Sequence, residues 1–129
     1  MKNNLQIIKE LENKFGKFKF GEFYLNEINE VVSLIFSHKG VETKDLELIG
    51  ELTSLKELDL GWNKITKIEG LNSLVNLEYL YLNNNQITTI QGLDGLTSLK
   101  ELWLGYANKI DKIEIDQLKI KNSKINVYV

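Results

Sequence analysis

Trp62, Tyr79, Tyr81, Trp103 and Tyr106 are the residues of this chain best suited to chemistry, and that chemistry is noncovalent. Both tryptophans and three of the five tyrosines fall between positions 62 and 106, among Lys56, Glu57, Asp59, Lys100 and Glu101. Tryptophan and tyrosine are enriched where one protein grips another, and truncating such a residue often costs about 2 kcal/mol or more of binding. Reaction chemistry has much less to work with. His38 is the only histidine, cysteine is absent, and Ser37 directly precedes His38, which in a strand sends the two side chains to opposite faces. Thiolate and multi-histidine metal sites are thereby excluded. The acidic residues recur at a fixed interval, the mark of a solvated face rather than of an acid–base pair. Gly92-Leu-Asp94-Gly95-Leu is a turn signal and not a phosphate loop. The expectation is a protein without enzymatic activity, metal or cofactor.

The interval that places these side chains is 22 residues. Leu55-Lys-Glu-Leu58-Asp-Leu60-Gly-Trp-Asn63-Lys-Ile65-Thr-Lys-Ile68 is followed by Leu77-Glu-Tyr-Leu80-Tyr-Leu82-Asn-Asn-Asn85-Gln-Ile87-Thr-Thr-Ile90. A third copy, Leu99-Lys-Glu-Leu102-Trp-Leu104-Gly-Tyr-Ala-Asn108-Lys-Ile110, carries one extra residue, Ala107, before its asparagine. Such a period means stacked units, because one unit cannot bury its own apolar face. In Leu58-x-Leu60 and its echoes, alternate apolar residues point inward from a short strand. Ile65, Ile68, Leu71 and Leu74 step by threes, which suits 3₁₀-like turns folding back over the core. Asn63, Asn85 and Asn108 sit where each strand bends away, and their amides are read as structural, satisfying turn groups that have no ladder partner. A worn first repeat is visible in Leu34-Ile-Phe36-Ser-His-Lys39, with Lys39 at the asparagine position, so the amide ladder is expected to start at the second repeat. At the other end Ile125-Asn-Val127 is expected to form a truncated closing strand. The predicted strand centres are Leu34, Leu58, Leu80, Leu102 and Ile125.

The unit Leu-x-x-Leu-x-Leu-x-x-Asn-x-Ile-x-x-Ile-x-x-Leu resembles the leucine-rich repeats of the 22-residue class found in internalin-like bacterial proteins. The resemblance covers residues 31–129, strictly for three repeats and more loosely at both ends. It implies an α/β solenoid, a short right-handed array with a concave parallel sheet and helical turns on the convex side. It also implies protein binding. On the concave face the residues between the leucines align in columns. Ile35, Asp59, Tyr81 and Trp103 make one, and His38, Trp62, Asn84 and Tyr106 make another, so Tyr81 and Trp103 should touch across strands about 4.8 Å apart.

Residues 1–30 are expected to cap the array. A helix is predicted over 4–15, with Asn4 as its cap, Leu5, Ile8, Leu11 and Phe15 along its apolar stripe and Gly16 as its stop. Phe18, Phe20 and Phe23-Tyr24-Leu25 favour a strand, Asn26–Asn29 a turn, and Val31–Phe36 a second strand, giving a β-hairpin. All five phenylalanines lie in residues 15–36, where the open end of a solenoid needs sealing. The repeats then occupy 31–129 in one continuous domain of about four repeats plus the truncated strand.

The formal net charge is −2 and every one of the 16 basic residues is lysine, so the bidentate fork that arginine offers to guanine and phosphate is missing. No direct nucleic-acid binding is expected. Neither a secretory leader pattern nor an apolar run of membrane-spanning length occurs, which favours a cytoplasmic protein. The lysine-, asparagine- and isoleucine-rich composition fits an AT-rich bacterial or phage genome. The expected function is a stand-alone protein-interaction module, an inhibitor or adaptor, in the narrowest form an anti-CRISPR-like antagonist of a host enzyme. Its proposed contacts are Trp62, Tyr79, Tyr81, Trp103, Tyr106, Asp59, Glu57, Glu101, Lys56, Lys100, Ile35 and His38. A second reading has the same face pairing with its own copy as a homodimer.

Overall fold

The computed structural model describes residues 2–129. The helix α1 spans Asn4–Phe15, and the hairpin strands β1 and β2 follow at Phe23–Leu25 and Val31–Ile35. A 3₁₀ turn at Thr43–Asp45 runs into the one-turn helix α2 at Leu46–Ile49. The repeat strands β3, β4 and β5 lie at Glu57–Asp59, Tyr79–Tyr81 and Glu101–Trp103. The helix α3 at Lys112–Lys121 and the strand β6 at Asn126–Tyr128 complete the chain. All six strands form one sheet in the order β1-β2-β3-β4-β5-β6. The β1–β2 pair is antiparallel and the remaining pairs are parallel.

Register follows the leucines. Leu34 pairs with Leu58, Leu58 with Leu80 and Leu80 with Leu102, so each inward side chain stacks directly on its predecessor. Leu102 then pairs with Val127 and not with Ile125. The sequence expectation was therefore two residues early for the last strand. A shift of two keeps the same residues facing inward, so alternation alone could not choose. The helix α3, absent from the sequence-based expectation, lengthens the final connection and moves the strand.

Between strands the chain returns through i→i−3 hydrogen bonds, such as Leu74 N to Leu71 O at 3.0 Å and Leu96 N to Leu93 O at 3.0 Å. These are the 3₁₀-like turns expected from the steps of three. Successive turns nearly touch: a Cβ added to Gly92, whose φ is +89°, would stand 1.9 Å from Ile68 O. The buried core is one cluster running from Ile7 in α1 to Leu104 beyond β5.

The asparagine ladder stitches these layers together. Asn63 Oδ1 accepts from Lys39 N and Val41 N, while its Nδ2 donates to Phe36 O and Leu60 O, at 2.9–3.1 Å. Asn85 repeats this one layer on, to Ile65 N, Leu60 O and Leu82 O, and Asn108 does so to Ile87 N, Leu82 O and Leu104 O. Lys39, at the equivalent place in the first repeat, instead pairs with Glu22 at 2.8 Å.

The cap differs from expectation in three details. Asn3 rather than Asn4 caps α1, through a reciprocal pair with Gln6 at 2.9 Å each way. Asn4 Oδ1 instead accepts from Val31 N, tying the helix to β2. The buried stripe is Ile7, Ile8 and Leu11, and Leu5 faces solvent, because the helix turns its other side to the core beside α2. Phe15, Phe18, Phe23 and Phe36 seal the end with ring centroids 5.1–5.4 Å apart, whereas Phe20 sits in a turn and is fully exposed.

Candidate protein-binding face

The outward residues of five parallel strands form two uninterrupted rows. One is Ser33, Glu57, Tyr79, Glu101 and Asn126; the other is Ile35, Asp59, Tyr81, Trp103 and Tyr128. In the second row the rings of Tyr81 and Trp103 stack at 6.0 Å and those of Trp103 and Tyr128 at 4.1 Å. The predicted Tyr81–Trp103 contact is present. Tyr128, which the sequence expectation left out, extends it to three rings because β6 pairs through Val127. Its signal was the Ile125-x-Val127-x-Val129 alternation, which permits either register.

Around the rings stand three carboxylates. Glu101 accepts from Trp103 Nε1 at 3.0 Å, Asp59 from Gly61 N at 2.9 Å, and Glu57 from Ser33 Oγ at 3.3 Å. None of the three takes part in an ion pair among the described residues. Tyr81 registers their presence: partial burial, then Glu57, Glu101 and Asp59, push its phenol above the usual tyrosine range. Lys100 pairs with Glu78 at 2.9 Å along the rim, and Lys56 is exposed in the same rim row.

A third column carries backbone strain. His38, Trp62, Asn84 and Tyr106 have φ of +58°, +56°, +58° and +60°, the left-handed region. Asparagine tolerates that geometry, but a bulky aromatic residue there costs about 1–2 kcal/mol. Trp62 nevertheless occupies it, more than half exposed, with its ring stacked on His38 at 5.2 Å. Tyr106 occupies it too, 82% exposed, and the inserted Ala107 follows at φ +58°, so the extra residue is taken up as a second left-handed step. The repeat imposes this backbone at each layer, as through Trp62 N donating to Asn83 O at 2.9 Å, and strain so held clusters at binding sites.

Every sequence-predicted site residue therefore lies on or beside this one face. Ile35, Asp59, Tyr81 and Trp103 share a row, Glu57, Tyr79 and Glu101 its neighbour, His38, Trp62 and Tyr106 the strained column, and Lys56 and Lys100 the rim. Tyr106 stands apart from the three-ring stack. No cluster of three or more His, Asp or Glu residues suited to a metal ion occurs among the described residues. Among the described residues no helix is long and apolar enough to cross a membrane.

Family models described as leucine-rich repeats match residues 51–68 once and residues 75–119 as two copies. The chain is a leucine-rich-repeat protein. Solved structures agree. It is similar to a leucine-rich-repeat protein of Leptospira interrogans at 28% identity and TM-score 0.57, over 64% of this chain and 21% of that one. An internalin from Listeria monocytogenes matches at 26% identity and TM-score 0.54, over 76% and 34% of the respective chains. The leucine-rich-repeat ectodomain of an Arabidopsis thaliana receptor kinase shares the fold at 22% identity and TM-score 0.59, over 83% and 67%. This repeat protein thus spans about a fifth and a third of the two bacterial proteins it resembles. No curated protein sequence matches it. Leucine-rich-repeat folds are typically non-enzymatic scaffolds for protein–protein interaction.

Proposed function

We propose that this leucine-rich-repeat protein binds a partner protein through the aromatic face of its sheet, acting in the cytoplasm as an inhibitor or adaptor. The observation that carries the reading is Trp62, a bulky residue kept at a strained left-handed position where its ring is largely exposed. The stacked Tyr81, Trp103 and Tyr128 supply rigid apolar area beside it. A binder with this surface alters its partner by covering it, holding it or bridging it to something else. Antagonism of a host enzyme in a phage or bacterial setting is the narrowest form of that reading; an enzyme bound by the face but unchanged in activity would count against it. Six strands about 4.8 Å apart make a face roughly 25 Å wide. With strands of three to five residues at about 3.3 Å each, the face offers only several hundred Å², less than the ~800 Å² per partner of a standard interface, so micromolar affinity is expected from the face alone.

The test is affinity capture from source-cell lysate with wild type beside a folded Tyr81→Ala/Trp103→Ala variant. A protein held by wild type and lost with the variant supports the face. Equal retention by both would move the site elsewhere.

Self-association is the second reading, favoured by β6. Among the described residues that strand has a neighbour on one side only; it carries the exposed Tyr128 and leads into the exposed Val129. Light scattering across a concentration series separates the two: a constant monomer mass removes self-association.

A further inference from the structure

We infer that the partner presents an arginine-bearing basic segment, docked with a guanidinium on the face of the Tyr81 ring turned away from Trp103, against Asp59 and Glu57. The inference rests on the binding role proposed above and adds the chemistry of what is bound. One face of Tyr81 is taken by Trp103 at 6.0 Å. The opposite face looks along the sheet toward β3, where the facing residue is Asp59 and the next outward position is Gly61. Gly61 offers no side chain there, and the Asp59 carboxylate and the Asn83 amide stand over it. The Tyr81 ring thus borders the Asp59 carboxylate, with the Asn83 amide beside it and the stacked Trp62 and His38 rings on the same face.

Charge decides the occupant. The face carries Glu57, Asp59, Glu78 and Glu101 against Lys56 and Lys100, and Lys100 is already bonded to Glu78. Glu57, Asp59 and Glu101 each spend one hydrogen bond on a neighbour within the chain and meet no cation. Three uncompensated carboxylates around exposed π-faces repel an acidic partner and leave a neutral one with nothing to offer them. A guanidinium satisfies both elements, stacking flat on the phenol ring and bonding carboxylate oxygens with its edge. Lysine matches the charge but lacks the planar fork.

Indole N–H signals of Trp62 and Trp103 in a two-dimensional NMR spectrum give two reporters, since Trp103 Nε1 is tied to Glu101. The probes are soluble peptides of equal length, one arginine-rich, one lysine-rich, one glutamine-rich and one glutamate-rich. The arginine peptide is expected to shift the Trp103 signal, with the lysine peptide weaker and the other two silent. Added salt weakens the interaction, because the charges are solvent-accessible and screened over about 10 Å at 0.1 M. A Glu57→Gln/Asp59→Asn/Glu101→Gln variant is expected to bind the arginine peptide at least about tenfold more weakly. If that variant misfolds, salt titration of the wild type decides instead: affinity for the arginine peptide that does not fall with salt removes the carboxylates from its binding. No response to the arginine peptide, or an equal response to the glutamine peptide, overturns the inference. A lysate protein lost with Tyr81→Ala/Trp103→Ala but held by the amide variant leaves the binding face standing and removes the cation.

Discussion

The two ends of the array are built to different standards. At the first, α1 buries Ile7, Ile8 and Leu11, four phenylalanine rings interlock, and Lys14 pairs with the buried Asp45. At the second, α3 buries no residue at all, and Ile113 and Ile120 are 65% and 82% exposed. The amide ladder weakens in the same direction, from buried Asn63 and Asn85 to half-buried Asn108. Stability in a repeat array is a sum of local terms, each repeat leaning on its neighbours. The difference therefore teaches where this protein is stiff and where it opens first. The aromatic rows lie toward the lighter end, with Tyr81 mid-sheet and Tyr128 on the last strand.

The largest effect should come from the sealed end. Phe36→Ala is expected to lower unfolding free energy by about 3–5 kcal/mol in urea titration, since Phe36 is 1% exposed and touches two other rings. Leu118→Ala in α3 should cost no more than about 1 kcal/mol. Equal losses would end the comparison. Next come the ladder amides. Asn85→Ala strands buried carbonyls and should cost about 2–3 kcal/mol, against about 1 kcal/mol for Asn108→Ala.

Native-state hydrogen exchange sharpens the same contrast: amides of α3 and β6 are expected to exchange through openings well below the global unfolding energy, and those of β2–β4 only through it. Protection of α3 equal to that of β3 would contradict this. A smaller effect is expected at the strained column. Trp62→Asn exchanges a stacking contact for a residue at ease in left-handed geometry, so stability should stay within about 1 kcal/mol of wild type. A loss above about 2 kcal/mol would make Trp62 a stabilising residue and remove the main support for its role in binding.

The smallest concerns Glu22, whose carboxyl is held below its ordinary range by its hydrogen bond to Lys39. A depressed folded value means its contribution is present above the usual Glu range near pH 4 and fades as pH falls through the lowered value. Lys39→Met should remove that acid-side dependence and cost less than about 1 kcal/mol at neutral pH. An unchanged pH profile of unfolding would show the pair to be neutral.

The repeat core was readable in the sequence because its physics is periodic. Leu58, Leu80 and Leu102 occupy equivalent sites, so each confirms the others, and the columns through Asp59, Tyr81 and Trp103 follow once one strand is placed. What escaped was aperiodic. The helix α3 occurs once, has no capping neighbour in another repeat and buries no residue that would leave an apolar stripe. Missing it displaced β6 by two residues and hid Tyr128. The strain at Trp62 had a signal in Asn84, which stands at the same place in the next repeat and is a residue type common in left-handed geometry. Alignment of the two positions carries that information; helix and strand propensities do not.

The layered asparagine bonds bear on how such a protein changes length. Each of Asn63, Asn85 and Asn108 reaches back to the preceding turn and none reaches forward. With β3, β4 and β5 paired without stagger, a duplicated unit spliced between two of them finds every acceptor it needs already in place. Unequal recombination within such a gene can therefore widen or narrow the recognition surface one strand at a time, leaving the sealed end untouched. Each such event resets the spacing of the aromatic columns by a whole layer and never by a fraction of one.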